Sequence, residues 1–447
     1  MGLESQVLKR VVPSPEEEAR IRATVEDVRG RVSAAIKERG VDAEPLLVGS
    51  VAKGTHLSDP EIDMFVAFPR ETPREVLERV GLELGEFLKD RVRQYAEHPY
   101  TRGRWNGLEV EIVPCYRIED ASQKMSAVDR TPLHAAYVVQ KIGPKQRDEV
   151  RLLKAFCEGI GVYGAEAKVQ GFSGYLCELL GLRYGTFRGV LEASLNWRRG
   201  VVIALEPVTG KDFPDPFVVI DPIDAERNVA SAVSEESLAT FIYAAKSFLE
   251  KPRIEFFFPK PRKPLTAVQA RQLLKRRGTT LVGVTIPAPK LTDDILYPQV
   301  RKALRAIEDL LRKADFRIMR SRFAVTAGVV LLVFEFEVFA LPAARKHRGP
   351  PAWVKNADEF LSRWRRAPDA LSWPYIEGGN WGVDVRRKAT DGLALIHAQL
   401  HELSLGSHLD RNAGRARLMK DAQLFTKTFL SEVTSLLDPR FPWDRPS

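Results

Sequence analysis

The sequence has little cysteine. Its three residues, Cys115, Cys157 and Cys177, lie far apart and form no Cys-x-x-Cys pair. This spacing speaks against a disulfide framework and a thiolate zinc site, and it predicts a reducing, cytoplasmic setting. The first residues (MGLESQVLKRVV) lack the long apolar stretch of a secretory signal peptide. Long hydrophobic runs are missing as well. The longest, residues 323–334, falls short of the ~20 residues that a membrane-spanning helix needs, and Glu335 and Glu337 follow at once. It reads as a buried strand, and no membrane association is expected. Neither an internal repeat nor a low-complexity linker is visible.

A hydrophobic content of 44% and a charged content of 28% describe a globular chain, and 447 residues suggest about three domains. The formal net charge of +9 points towards a polyanionic partner. Ser14 and Glu17 form a capping-box pattern around Pro15, and Ile21, Val25, Val28, Val32 and Ile36 continue it as an apolar helical stripe. Strands are predicted at 46–48, 62–68, 93–100 and 108–113, with a second helix capped by Thr72 and Glu75. Helices and strands alternating over about 120 residues predict a small mixed domain. Residues 131–249 read as mainly helical, and the proline-rich FFFPKPRKPL marks a boundary near Phe258. Beyond it come a strand (TTLVGVTI), a helix after Pro298, a further β region, a basic loop and a C-terminal amphipathic helix.

The chemistry concentrates in LLVGSVAKGTHLSDPEIDMFVAF. A strand ends at Gly49-Ser50, where a missing Cβ lets backbone N–H groups approach a phosphate, and Ser50 and Lys53 add a hydroxyl and a positive charge. On the next strand Glu61 and Asp63 stand two residues apart. Period-two geometry turns both carboxylates to one face, opposite Ile62, Met64 and Val66. Two such groups repel unless a cation lies between them, and Mg²⁺ shared with nucleotide phosphates is the simplest cation. GLEVEIVPCY offers a third carboxylate, Glu109 or Glu111. Three acidic groups at one sheet edge suit two-metal phosphoryl transfer.

The order GSVAKGT, EID, EVEIVPCY, SAVDRTPLH, EVRLLKAF, GVYGAE, GFSGYLCELL and DPIDAERNVA resembles that of the archaeal-type (class I) CCA-adding tRNA nucleotidyltransferases of the DNA polymerase β-like superfamily. The distinctive motifs lie in the first ~235 residues of the sequence order; LYPQ and the basic segment before Gly349-Pro350 are weaker matches. The resemblance implies an α+β, multidomain chain with a polymerase β-like nucleotidyltransferase head (1–130) and a helical neck (131–257). An α/β body (258–315, with 393–447 returning to it) and a tRNA-binding tail (316–392) complete it. It implies addition of C, C and A to a tRNA 3′ end from CTP and ATP, without a nucleic-acid template. Glu61, Asp63 and Glu111 match the metal-binding carboxylates; the third is commonly aspartate in the family, so Glu111 reaches one methylene further. Gly49, Ser50 and Lys53 match positions beside the triphosphate, where arginine often replaces Lys53. His134, Lys154 and Tyr163 match contacts to the nucleotide's phosphates or sugar, and Arg227 matches the arginine that reads the base together with the RNA end.

Read alone, these residues have plainer roles. His134 would be a helix-surface histidine, Lys154 a solvated lysine, Tyr163 and Tyr175 core filling, and Arg227 a partner of Asp221 or Asp224. Three basic clusters (Arg345, Lys346, Arg348; Arg363, Arg365, Arg366; Arg386, Arg387, Lys388) interleave with Trp353, Trp364, Trp373 and Trp381. They suit either phosphate neutralisation with stacking on the acceptor stem and T arm of tRNA, or a solvated face over core tryptophans. A homodimer is compatible with the sequence. Two other readings stay open: a poly(A)- or oligoadenylate-type nucleotidyltransferase, and a non-catalytic RNA-binding relative.

Overall fold

A computed structural model describes residues 2–95, 98–207 and 212–446. The chain divides into two units, Met1–Lys260 with Phe441–Ser447, and Pro261–Arg440.

The first unit opens with a helix the sequence did not announce, α1 (Leu3–Val11), whose Val7 and Val11 join a buried core. The capping box is formed in α2 (Pro15–Glu38): Ser14 Oγ accepts from the Glu17 N–H at 3.2 Å, and Glu17 Oε2 accepts from the Ser14 N–H at 2.7 Å. The elements β1 (Glu44–Leu47), α3 (Gly49–Lys53), β2 (Ile62–Phe68), α4 (Arg74–Glu83), β3 (Lys89–Tyr95), β4 (Pro99–Trp105) and β5 (Leu108–Tyr116) follow. Their sheet has the order β1-β2-β5-β4-β3. Only the β2–β5 pair is parallel, and its register sets Asp63 beside Glu111. Ile62, Met64, Val66 and Phe68 bury one face of β2 against the α2 stripe and Leu77 and Val80 of α4. The strand expected at 93–100 straddles the end of β3 and the start of β4; residues 96–97 lie outside those described. Thr72 provides no cap, because Pro73 takes the N-cap position of α4 without a side-chain bond.

The helical part comprises α5 (Thr131–Lys141), α6 (Pro144–Ile160), α7 (Gly174–Tyr184), α8 (Phe187–Ser194), a parallel pair of short strands β6 (Val201–Ile203) and β7 (Phe217–Val219), and α9 (Glu235–Glu250). Phe156, Phe187, Phe241, Phe248 and Phe256 fill its core with edge-on and stacked rings. Trp443 completes that core, 1% exposed and stacked on Phe256 at 5.1 Å. The end of the chain was expected to return to the body; from Phe441 onward it belongs to the first unit instead, because Trp443 finds its aromatic partners there.

The second unit contains α10 (Ala267–Arg277), β8 (Thr280–Pro287), α11 (Asp293–Lys313), β9 (Arg317–Thr326), β10 (Val329–Val338), β11 (Ala344–Pro351), α12 (Ala357–Trp364), β12 (Tyr375–Glu377), β13 (Asn380–Arg386), α13 (Gly392–Gln399), α14 (Ser407–Asp410), β14 (Arg417–Lys420) and α15 (Leu430–Leu437). A four-stranded sheet, β14-β8-β10-β9, packs one face on α11, α13 and α14 and the other on α10 and α15. The apolar run 323–334 is two strands rather than one, since Ala327 (φ 49°) and Gly328 (φ 75°) turn it into a hairpin of the left-handed two-residue kind. That sheet contains β8 together with β9 and β10, so the expected body–tail division at 315/316 falls inside it. A separate sheet, β11-β13-β12, packs Trp364, Val383 and Val385 into its own small core with α12. Helix α11 starts before Pro298, because Leu296 and Tyr297 extend its buried face. Three short helices, α13 to α15, stand where one C-terminal amphipathic helix was expected.

Candidate active site

Parallel pairing of β2 and β5 brings Glu61, at the entrance to β2, together with Asp63 and Glu111, and one carboxylate oxygen from each lies within 4.8 Å of the others. The bend at Gly49 closes over Asp63. Gly49 has φ 68°, and a Cβ there would sit 1.7 Å from Asp63 Oδ2. Glycine is thus required twice, for its backbone and for its lack of bulk.

The three carboxylates repel one another. Burial, then the neighbouring Glu61 charge, raises Asp63 to about 6. Burial, with Glu61 and Asp63 beside it, also pushes Glu111 upward. Glu61 Oε1 is buried without a hydrogen-bond partner of good geometry. A self-repelling triad of carboxylate oxygens this close together fits a hard divalent cation. Among the described residues this is the one group of three such side chains.

Glu109 takes another place. Its Oε2 accepts a hydrogen bond from Arg102 Nη2, and Arg104 Nη2 lies 3.9 Å from its Oε1. Arg102, unforeseen from the sequence, stands opposite Glu111 in the β4–β5 register, with Nη2 3.2 Å from Glu61 Oε1 and Nη1 3.8 Å from Glu111 Oε1.

Lys53 and Lys154 are both buried, and their ammonium groups are held by an unforeseen carboxylate, Glu178 of α7. Lys53 Nζ donates to Glu178 Oε2 at 2.6 Å, while Lys154 Nζ donates to Glu178 Oε1 at 3.0 Å and to Thr55 Oγ1 at 3.0 Å. Thr55 Oγ1 donates to Glu178 Oε1 at 2.6 Å. Burial alone would raise the Glu178 carboxyl, but Lys154 and Lys53 hold it down to about 2. Lys154 is not the solvated side chain that its sequence context suggested, since an ammonium at this depth needs a counter-ion. Tyr163 adjoins Lys154: a Cβ on Gly174 would lie 3.1 Å from the Tyr163 hydroxyl and 3.6 Å from Lys154 Nζ.

A second buried carboxylate, Asp221, organises the remaining residues. Its Oδ2 lies 2.9 Å from His134 Nε2 and accepts from Arg227 Nη1 at 2.7 Å. Tyr175 stacks on His134 at 4.4 Å and donates to Asp221 Oδ1 at 3.3 Å. Burial favours raising Asp221, yet His134 and Arg227 lower it to about 2. His134 is buried, not on a helix surface, and burial lowers its own pKa against the pull of Asp221. Arg227 pairs with Asp221, whereas Asp224 accepts from Lys124 and Arg130, each at 2.6 Å.

In the second unit, Arg345, Lys346 and Arg348 are exposed on β11. Alternation along the strand puts Lys346 and Arg348 on one face and Arg345 on the other. Lys346 is paired with Glu377. Trp353 and Trp373 are 78% and 75% exposed, while Trp364 is core.

Residues 30–134 match the nucleotidyltransferase domain family, 148–258 the second domain of tRNA nucleotidyltransferases, and 277–419 the C-terminal domain of CCA-adding enzymes. The chain is 38% identical over 416 residues to the CCA-adding enzyme of Thermoplasma acidophilum, covering 93% of this chain and 94% of that protein. The chain belongs to the class I CCA-adding tRNA nucleotidyltransferases. The CCA-adding enzyme of Methanothermobacter thermautotrophicus is 38% identical over 417 residues, 91% of this chain and 90% of its own. That of Methanoregula boonei is 35% identical over 452 residues, 99% of this chain and 96% of its own. Membership accounts for the mixed α+β architecture with its polymerase β-like head and for a nucleotidyltransferase acidic triad that suits a divalent metal. Among the described residues no helix is long and apolar enough to cross a membrane.

Proposed function

We propose that Glu61, Asp63 and Glu111 hold Mg²⁺ and that the chain adds C, C and A to the 3′ end of tRNA from CTP and ATP. The approach of the three carboxylate oxygens to within 4.8 Å, under a glycine bend with no room for a Cβ, carries this reading. Mg²⁺ bound there would activate the attacking 3′-hydroxyl and offset charge on the triphosphate and the leaving pyrophosphate. Ser50, Lys53, Lys154 and Tyr163 receive the triphosphate and sugar, with Glu178 holding both lysines in place. His134 and Arg227, fixed by Asp221, meet the sugar and base beside the RNA end. A shared protein and RNA pocket needs no template, because each added nucleotide changes the primer end.

Arg345, Lys346 and Arg348, with the exposed Trp353 and Trp373, are the proposed tRNA-binding surface for the acceptor stem and T arm. The body then comprises the β14-β8-β10-β9 sheet with its helices, and the tail begins after β10. The three cysteines are free and buried, in keeping with work in the cytoplasm.

Incubating the chain with tRNA lacking its 3′ end, Mg²⁺ and each nucleotide alone tests the reading. Two additions from CTP followed by one from ATP are expected. Open-ended polymerisation of ATP would overturn it.

A further inference from the structure

The acidic cluster already contains a positive charge of its own. Arg102 spans the line between the Glu61–Asp63–Glu111 triad and Glu109, with one guanidinium in reach of three carboxylates: Glu61 at 3.2 Å, Glu111 at 3.8 Å, and Glu109 by a direct hydrogen bond. The β4–β5 register brings these groups together on one face, since Arg102 is paired with Glu111 and Glu109 lies two residues back on the same face of β5. The Arg102 and Glu109 side chains remain about two-fifths exposed, 39% and 43%, so the guanidinium can swing without unpacking a core. A planar fork suits this position, because its two ends can serve different carboxylates at once.

Two consequences follow from charge alone. A guanidinium beside Glu61 and Glu111 relieves their mutual repulsion in the absence of metal and keeps the triad assembled. The same guanidinium repels an incoming divalent cation and competes with it for Glu61 and Glu111. Glu109 offers the guanidinium a partner outside the triad, towards which it can withdraw while staying paired.

We propose that Arg102 and Glu109 form a positioning pair that sets how tightly the triad takes a divalent cation, Arg102 weakening binding and Glu109 restoring it by drawing Arg102 aside. The proposal rests on the assignment of Glu61, Asp63 and Glu111 as metal ligands. It explains why β5 presents two glutamates on one face when the cluster uses one.

The test uses the full chain with Mn²⁺ alone, without nucleotide or tRNA, and reads free Mn²⁺ by electron paramagnetic resonance. Arg102→Gln should bind Mn²⁺ roughly tenfold more tightly, the scale of one screened like-charge contact. Glu109→Gln should bind it several-fold more weakly, since Arg102 is then left to the triad. The double variant should match Arg102→Gln, and Arg102→Lys, which keeps the charge but loses the fork, should fall between it and wild type. A purely structural role would move both single variants in the same direction, and that result, or no change in Arg102→Gln, overturns the proposal. Asp63→Asn separates the underlying assignment: if that variant binds Mn²⁺ as wild type does, the metal assignment fails; if it loses Mn²⁺ while Arg102→Gln is unchanged, only the positioning pair fails.

Discussion

Gly49 and Asp63 share a space that admits only one of them to carry a side chain: the Cβ that Gly49 lacks would fall 1.7 Å from Asp63 Oδ2. The bend and the carboxylate are therefore one device. Gly49→Ala forces either the bend or Asp63 to move and also strains a residue at φ 68°. Nucleotide addition should fall at least a hundredfold, with a loss of about 1–3 kcal/mol in stability. Single-turnover rates and a urea melt check this; a variant with near-normal rates would show that the close approach is dispensable.

Asp63 is held in a site that suits function better than stability. A carboxyl raised from 3.8 to about 6 favours the folded state while protonated and loses that contribution as the pH climbs through about 6. In chelator-treated protein, Asp63→Asn should be more stable than wild type at pH 8, by up to roughly 3 kcal/mol, with the advantage shrinking towards pH 4. The same variant should add no nucleotide. Thermal melts in EDTA across this range provide the measurement, and an Asn variant less stable at pH 8 would contradict the argument.

Glu178 presents the opposite sign. Its carboxyl is lowered from 4.5 to about 2, so its stabilising contribution is complete above pH 4.5 and disappears as the pH falls towards 2. Glu178→Gln leaves Lys53 and Lys154 buried without a counter-ion, at a cost of about 3–5 kcal/mol at pH 7. The melting temperatures of variant and wild type should converge on acidification; a constant gap from pH 7 to pH 3 would exclude the carboxylate as the cause.

For the basic strand, the pairing of Lys346 with Glu377 distinguishes it from its neighbours. Arg345→Ala and Arg348→Ala should each weaken tRNA binding and reduce the slope of log affinity against log salt by about one, whereas Lys346→Ala should change it less. Filter binding across a KCl series measures the slopes, and equal effects at all three positions would remove the distinction.

Local chemistry was legible in the sequence and long-range pairing was not. Ser14 and Glu17 announced a helix because a capping box is complete within four residues, and Glu61 and Asp63 announced a shared face because alternation is a property of one strand. Alternation alone left Glu109 and Glu111 equally placed on one face, and only the resemblance pointed to Glu111; the register adds that Glu111 is the one beside Asp63. Arg102 and Glu178 escaped notice for the same reason: each meets its partners across separate elements, Glu178 reaching Lys53 from 125 residues away. The run 323–334 looked like one strand because apolar content hides a turn when alanine adopts a left-handed conformation beside glycine.

The place of Trp443 imposes an order on synthesis. The indole that seals the first unit against Phe256 is translated only after all of Pro261–Arg440. On the ribosome, the unit that carries the acidic triad is therefore made early but sealed late, and its aromatic pocket stays open while the second unit emerges. A nascent chain interrupted anywhere in that interval would leave Phe256 and Tyr243 without the indole that packs on them, an apolar surface of the kind that chaperones and proteases recognise.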